Sequence, residues 1–165
     1  MILQKPQTYL GHPNQERIRM FLRKLFAAPD LDGIDTEAAA FFAKYSVPLL
    51  DFPSAPLYSR TILYRAENGF EAVAARWRKD AITAIHGHPM FAFYYLLEGE
   101  LSVENFEKEG SGLRKTITKR FSPGEYFSMC GKADTFDNGI HRVTAVQESL
   151  SIHIYSDDAM KGEIF

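Results

Sequence analysis

The stretch Ile85-His86-Gly87-His88 places two histidines two positions apart, and the apolar run Phe91–Leu97 follows it. On an extended strand, side chains at i and i+2 point to the same face. Both imidazoles can then bind one metal ion at about 2.0–2.1 Å. This is the Zn–N distance, used here as a guide to other first-row metals. The glycine between them predicts an uncrowded opposite face. Two unrelated surface histidines are the alternative that these four residues leave open.

The residues after this pair have the pattern of short strands and turns. Glu98-Gly99-Glu100 interrupts the apolar run Phe91–Leu97, and alternation resumes at Leu101–Glu104. This order predicts a buried strand, a tight turn and a returning strand. A further turn is indicated at Ser122-Pro123-Gly124-Glu125, and a later lone histidine precedes the strand-like segment Arg142–Val146.

This order of motifs resembles the two-part motif of the cupin barrels: HxH, an apolar strand, Glu-Gly, Pro-Gly-Glu and a later lone histidine. The usual cupin motif adds a glutamate ligand. Its spacing from Gly99 places it near Ala92, where this chain has no carboxylate. The resemblance therefore implies a metal site of three histidines, which are His86, His88 and His141.

Length and composition are those expected of one soluble globular domain. The chain has 165 residues, 45% hydrophobic and 24% charged, with a net charge of −2. Its dispersed basic residues argue against nucleic-acid binding. The single cysteine, Cys130, excludes an internal disulfide framework and indicates a reducing, cytoplasmic compartment. Met1–Leu10 lacks the apolar core of a signal peptide, and no run is long enough to cross a membrane.

The first third of the chain has helical periodicity. An apolar stripe predicts an amphipathic helix over residues 14–28, with Asn14 as its N-cap. A second helix is predicted from residue 35 or 36 to Tyr45. Pro48, Pro53 and Pro56 indicate an irregular connection after it. Residues 1–50 are thus expected to form a helical cover over one end of a barrel.

From Tyr58 onward the hydrophobic period changes from that of a helix to that of strands. Glu67-Asn68-Gly69 predicts a hairpin turn. The pattern predicts seven or eight short strands over residues 58–156. Strands at this spacing indicate a small antiparallel jelly-roll barrel. The chain is therefore predicted to be one mainly β domain over residues 1–165, preceded by two α-helices, and to act as a monomer or homodimer.

The segment Ser151-Ile152-His153-Ile154-Tyr155 alternates polar and apolar residues. On a strand, its serine, histidine and tyrosine share one face, and its isoleucines share the other. A hydroxyl, an imidazole and a phenol placed in this way can form a hydrogen-bonded relay that orients the tyrosine hydroxyl and tunes its acidity. An ordinary solvated face is the alternative interpretation.

Four stretches in this order resemble the thiol dioxygenases of the cupin superfamily, above all cysteine dioxygenase. The resemblance covers roughly residues 14 to 156. The four stretches are Tyr58-Ser59-Arg60, His86-Gly87-His88, Gly139-Ile140-His141-Arg142-Val143 and Ser149-Leu150-Ser151-Ile152-His153-Ile154-Tyr155-Ser156.

This resemblance implies a metal and a reaction. The metal is non-haem Fe(II), held by His86, His88 and His141. The substrates are dioxygen and a small thiol carboxylate, most closely L-cysteine, and the product is the sulfinic acid. The implied enzyme is therefore an oxidoreductase that incorporates two oxygen atoms.

The resemblance also implies roles for five other side chains. Arg60 matches the guanidinium that binds the substrate carboxylate, and Tyr58 lines the pocket. Tyr155 matches the active-site tyrosine, held by His153 and Ser151, which hydrogen-bonds to the substrate carboxylate or to dioxygen. A guanidinium suits the first role because its planar fork binds a carboxylate with two hydrogen bonds.

The chain departs from the family pattern at several positions. Family members often have an acidic residue between the two histidines, where this chain has Gly87. The cysteine that cross-links to the tyrosine in mammalian-type enzymes is missing, since Ala92 and Phe93 occupy that region. Ser156-Asp157-Asp158 replaces the usual Ser-Pro-Pro. These differences leave the identity of the substrate open.

Two other functions remain open at this point. The first is another three-histidine cupin dioxygenase, such as a carbon–carbon cleaving enzyme for a diketone-like substrate, which would not need Arg60 to face the metal. The second is a non-enzymatic cupin that binds a metal or a small ligand. Oxygen uptake with thiols distinguishes both from a thiol dioxygenase.

Overall fold

The computed structural model describes residues 13–45, 47, 52 and 54–165. Two helices come first, α1 (Pro13–Ala27) and α2 (Ile34–Lys44). A 3-10 turn, Ala159–Lys161, lies near the end of the chain. Between them the described residues form nine strands: β1 (Tyr58–Arg65), β2 (Glu71–Trp77), β3 (His86–His88), β4 (Phe91–Glu98), β5 (Leu101–Glu109), β6 (Gly112–Phe121), β7 (Tyr126–Cys130), β8 (Asn138–Ala145) and β9 (Ser149–Tyr155).

The strands form two antiparallel sheets that face each other. One sheet has the order β1-β2-β9-β4-β7, and the other has the order β3-β8-β5-β6. Apolar side chains from both sheets meet between them, among them Trp77, Leu96, Val103 and Val143. Two packed antiparallel sheets with crossing connections are a double-sheet jelly roll. The predicted mainly β barrel with two N-terminal helices is therefore confirmed.

The helices pack against the outer face of the five-stranded sheet, and the prediction that they cover one end of the barrel is wrong. Phe26 of α1 contacts Phe70, with ring centroids 5.5 Å apart. Ile152 and Ile154 of β9 are fully buried in the same apolar cluster as the helices. Because the central strands carry apolar side chains on both faces, the outer face also needs an apolar partner.

The helix ends differ by a residue from those predicted. Helix α1 begins at Pro13, so Asn14 lies inside it and does not precede it. Proline suits the first helical position, because the amide hydrogen it lacks would have no partner there. Pro48, Pro53 and the segment Met1–Leu10, to which further predictions apply, lie outside the described residues.

The turn at Gly99 joins the two sheets and does not close a hairpin. Strand β4 pairs with β7 and β9, whereas β5 pairs with β6 and β8, so the predicted returning strand belongs to the other sheet. Gly99 has a φ of 87°, and a Cβ there would lie 2.2 Å from the Glu148 carbonyl oxygen. Both the conformation and the available space therefore require glycine.

Three sequence predictions concern the surroundings of the protein. Neither helix that the structure describes is long and apolar enough to cross a membrane. The cytoplasmic location, the lack of nucleic-acid binding and the monomeric or homodimeric state stay predictions.

Candidate metal centre

Strands β3 and β8 bring together His86, His88 and His141. The two strands pair antiparallel, with His86 opposite His141. One ring nitrogen of each histidine lies within 4.8 Å of the others. Three ligands about 2.1 Å from a common ion are at most about 4.2 Å apart. A small inward movement of the rings therefore suffices to surround a metal ion.

Backbone carbonyls orient two of these imidazoles. The Nδ1 atom of His86 lies 2.9 Å from the carbonyl oxygen of Ala84. The Nδ1 atom of His88 lies 3.2 Å from the carbonyl oxygens of Asn138 and Gly139. A carbonyl only accepts hydrogen bonds, so each Nδ1 must carry the proton. The Nε2 lone pair of each ring is then free to bind a metal, as in other histidine metal sites.

Burial keeps the three histidines neutral. Desolvation is the main cause that lowers the pKa of His88 to about 4, and the neighbouring His86 adds to it. Desolvation also lowers the pKa of His86 below its usual value and that of His141 well below it. Metal ions bind the neutral imidazole, so the site needs no proton release at pH 7. Three imidazoles suit iron, zinc, copper or nickel.

Ala92, near which the motif resemblance places the usual cupin glutamate, supplies no ligand. It is buried and lies opposite Tyr155 in the pairing of β4 with β9. The next residue, Phe93, belongs to the apolar cluster beneath the helices. In the described part of the chain, the cluster of metal-binding side chains therefore consists of the three histidines.

The face of β3 opposite the histidines is crowded, and the prediction that Gly87 leaves it open is wrong. A Cβ on Gly87 would lie 2.6 Å from the Phe136 carbonyl oxygen and from the Asp137 Cα. Both are backbone atoms, which cannot rotate away. This contact explains why a glycine separates the two histidines.

The C-terminal segment Asp157–Phe165 runs beside β3, which the sequence motifs did not indicate. The Gly87 amide donates to the Glu163 carbonyl oxygen at 2.8 Å. The Phe165 amide donates to the Ile85 carbonyl oxygen at 3.0 Å. Because β8 pairs with the other edge of β3, the strand that carries two histidines is held from both sides.

A buried carboxylate, Glu71, anchors the start of this segment. It accepts a hydrogen bond from the Ala159 amide at 2.8 Å and another from Arg65 Nε at 2.9 Å. The neighbouring Met160 places its sulfur against the guanidinium of Arg60. The C-terminal segment therefore reaches the residue that the family resemblance assigns to substrate binding.

A cavity of about 40 Å³ lies beside the histidines. One water needs about 10–15 Å³ on this measure, so the cavity admits a ligand of only a few non-hydrogen atoms. Part of its wall is apolar, from Val73, Ala75 and Val143. Six of the predicted site residues line it: Tyr58, Arg60, His86, His141, His153 and Tyr155.

Ser151, His153 and Tyr155 form a hydrogen-bonded series along β9. The Ser151 hydroxyl lies 2.7 Å from His153 Nε2, and the Tyr155 hydroxyl lies 3.1 Å from His153 Nδ1. The Tyr155 ring stacks on His88 with centroids 5.8 Å apart. Burial raises the pKa of Tyr155, although the charge of Arg60 opposes this change. The phenol is therefore protonated at neutral pH and can donate a hydrogen bond.

The same burial predicts that acid destabilises the metal-free protein. Desolvation, followed by the charge of Arg60, lowers the pKa of His153 to about 3. The unfolded chain takes up this proton near pH 6.5, so stability is lost as the pH falls from about 6.5 to 3. At about 1.4 kcal/mol per pKa unit, the loss amounts to roughly 5 kcal/mol. Chemical denaturation across this pH range measures the free energy of unfolding, which should depend less steeply on pH in His153→Gln than in the wild-type protein. Equal slopes for the two proteins would contradict the prediction.

Trp77 is a cavity residue that the sequence motifs did not include. Its indole Nε1 donates to the Ser151 hydroxyl at 2.8 Å, and its ring stacks on Tyr58 with centroids 4.8 Å apart. Alternation along β2 places Trp77 on the same side as Val73 and Ala75. Its partner Ser151, however, lies 74 positions away, and no local pattern indicates that contact.

Comparisons with known proteins identify the fold. No family model matches the sequence, and no curated protein matches it. An oxalate decarboxylase structure is 14% identical with a TM-score of 0.53, over 70% of this chain and 30% of that one. The cupin domain of Schizosaccharomyces pombe Cnp3 is 12% identical with a TM-score of 0.52, over 71% and 75% of the two chains. A cupin superfamily protein from Desulfitobacterium hafniense is 12% identical with a TM-score of 0.51, over 70% and 93%.

These similarities show a cupin fold, as the sequence resemblance predicted. The three-histidine cluster lies on two paired strands of one sheet, beside a cavity between the sheets. The protein is therefore a cupin-fold protein with a cluster suited to a divalent metal.

Proposed function

We propose that this protein is a non-haem iron dioxygenase that oxidises a small thiol carboxylate, most closely L-cysteine, to its sulfinic acid. One observation carries the proposal: Arg60 and Tyr155 line the same small cavity as His86 and His141. A cation, a hydrogen-bond donor and a metal site then face one ligand of a few atoms. A thiol carboxylate could bind the metal through its sulfur and Arg60 through its carboxylate.

Arg60 is suited to bind the carboxylate. Its charge helps to lower the pKa of both His86 and His153, which places the guanidinium close to both rings. No carboxylate of the described residues forms an ion pair with it. Its contact is the Met160 sulfur, a much weaker acceptor than a carboxylate. An incoming carboxylate can therefore take the place of the sulfur.

The net reaction is balanced without a further reductant. Both atoms of dioxygen join the substrate sulfur, which loses four electrons while dioxygen gains four, and the thiolate becomes a sulfinate. Fe(II), when bound by His86, His88 and His141, would supply the redox chemistry with dioxygen. The chain itself orients the substrate through Arg60, and Tyr155 donates a hydrogen bond at the cavity wall. Fixed placement of the reacting groups is a large part of such catalysis.

Oxygen uptake by the iron-loaded protein tests the proposal. The full chain is loaded with Fe(II) anaerobically, mixed with single thiols and followed with an oxygen electrode and by product analysis. We expect one dioxygen consumed per sulfinate formed, with cysteine well above cysteamine, which has no carboxylate. Metal-dependent uptake with a diketone and not with thiols would favour a carbon–carbon cleaving cupin. No uptake with any thiol would contradict the proposal.

Replacing Tyr155 with phenylalanine should slow turnover while metal binding is unchanged. Only the hydroxyl is lost, and the ring can still stack on His88. Loss of a hydrogen bond to a charged group costs about 1.5–3 kcal/mol, so turnover should fall about 10- to 100-fold. Steady-state rates and metal content measure the two effects.

A matched control is Tyr94→Phe. Tyr94 is a buried tyrosine whose ring lies 6.1 Å from that of His153, but among the described residues no hydrogen bond joins its hydroxyl to Ser151, His153 or Tyr155. We expect this variant to keep its activity. Unchanged turnover in Tyr155→Phe would show that Tyr155 is an ordinary strand residue with no part in the reaction.

A further inference from the structure

We propose that Trp77 sets the direction of the hydrogen bonds through Ser151 and His153, so that the Tyr155 hydroxyl points its hydrogen into the cavity. Trp77 would then be a positioning residue, since it acts through the relay. The use of this hydrogen in catalysis rests on the proposed function. The direction of the hydrogen bonds themselves does not.

The contact between Trp77 and Ser151 has a fixed donor and a fixed acceptor. The indole nitrogen lies 2.8 Å from the serine oxygen, and the serine is fully buried. An indole N–H can donate but cannot accept. The serine oxygen must therefore be the acceptor in this hydrogen bond.

The hydroxyl hydrogen of Ser151 must find an acceptor elsewhere. Among the described residues, the serine oxygen has two side-chain partners, Trp77 and His153. If His153 also donated to it, the hydroxyl hydrogen would be buried with no acceptor, which is strongly disfavoured. Ser151 therefore donates to His153 Nε2, at 2.7 Å.

The hydrogen bond from Ser151 also determines which way His153 and Tyr155 are hydrogen-bonded. An imidazole whose Nε2 accepts, and which is neutral, carries its hydrogen on Nδ1. Burial lowers the pKa of His153 to about 3, so the ring is neutral at pH 7. Its Nδ1 then donates to the Tyr155 oxygen at 3.1 Å. The hydrogen of Tyr155 is thereby left available to a ligand.

This direction has a consequence for the ligand. Tyr155 and Arg60 line the same cavity, and both then present hydrogen-bond donors to it. Two donors that face one space favour an acceptor, such as a carboxylate oxygen, over an ammonium group. If the relay ran the other way, Tyr155 would donate to His153 and offer the ligand only a lone pair.

The position of the proton on His153 can be measured directly. Long-range proton–nitrogen NMR spectra of the full-length protein, with ¹⁵N-labelled histidine and diamagnetic Zn²⁺ added, distinguish a protonated ring nitrogen from a bare one. The signals that disappear in His153→Gln identify the residue. We expect the proton on Nδ1. A proton on Nε2 in the wild-type protein would overturn the proposal, whatever the variants show.

Trp77→Phe then tests the role of the indole, because it keeps an aromatic ring and removes the N–H. We expect the Nε2-protonated form of His153 to become populated. Cysteine should lose affinity relative to cysteamine, because only cysteine offers a carboxylate. Tyr94→Phe, which removes the hydroxyl of another tyrosine whose ring lies near that of His153, should leave the proton on Nδ1. An unchanged Nδ1 form in a folded Trp77→Phe variant would show that the indole does not set the direction.

Ser151→Ala provides a second test if Trp77→Phe fails to fold. It keeps the indole but removes the hydroxyl that transmits its effect, and the preference for Nδ1 should likewise be lost. The NMR result requires neither thiol nor dioxygen. A wrong substrate assignment would leave it unchanged, whereas an Nε2 proton would contradict this proposal without affecting the oxygen-uptake test.

Discussion

Replacing His88 with alanine is expected to abolish metal retention. Two imidazoles hold a divalent ion far less tightly than three, and even the loss of an outer hydrogen-bond partner typically costs 10- to 100-fold in metal affinity. We therefore expect a decrease of more than about 100-fold. The same result is expected for His86→Ala and His141→Ala, because each contributes one nitrogen to the same cluster. Metal content after anaerobic loading and desalting measures the effect.

His153→Gln is the matched control for these variants. His153 lines the same cavity, and burial lowers its pKa as it does those of the three clustered histidines. Both of its ring nitrogens, however, contact hydroxyl groups of Ser151 and Tyr155. We expect this variant to retain the metal. Full occupancy in any of the three alanine variants would remove that histidine from the ligand set.

The histidine cluster could be predicted because strand periodicity is a local property. The spacing of His86 and His88 fixes their common face, and the alternation in Ser151–Tyr155 fixes the face of the relay. The third ligand, His141, followed only from the resemblance to a known motif order. Its place opposite His86 depends on strand pairing, which a single sequence does not contain.

The wrong predictions were those in which a local pattern was used to infer contacts with distant segments of the chain. The apolar strands predicted a core, but not that their outer faces needed the helices. The glycine turn at Gly99 predicted a reversal, but not that the chain changes sheets there. Gly87 indicated open space, whereas the backbone of residues 136 and 137 occupies it. Contacts between distant segments decided each case, as they did for Trp77 and Ser151.

The charges around the cavity connect the metal cluster to the choice of ligand. Burial keeps the histidines neutral, so a divalent ion bound there would keep its full charge. Among the described residues, no carboxylate joins the three histidines to offset that charge. Arg60 adds a further positive charge at the same cavity. Such a cavity attracts an anionic ligand, and a thiolate with a carboxylate supplies two negative charges.

Replacing Arg60 with alanine should therefore weaken cysteine binding by about 2–5 kcal/mol, as expected when one partner of a desolvated charge pair is removed. This corresponds to about 30- to 5,000-fold in affinity. Cysteamine, which lacks the carboxylate, should lose little in the same variant. Anaerobic binding titrations of both thiols to the metal-loaded protein measure the difference.

The comparison of the two thiols separates a contact with the carboxylate from general damage, because a distorted fold or metal site would weaken both alike. Arg60→Lys should restore only part of the affinity for cysteine, since an ammonium group cannot reproduce the two parallel hydrogen bonds of a guanidinium. Met160→Ala removes the sulfur that contacts Arg60 in the ligand-free site and should leave cysteine binding intact or strengthen it. Equal losses for cysteine and cysteamine in Arg60→Ala would make Arg60 a structural residue. The substrate assignment would then be wrong, even if the three histidines bind iron.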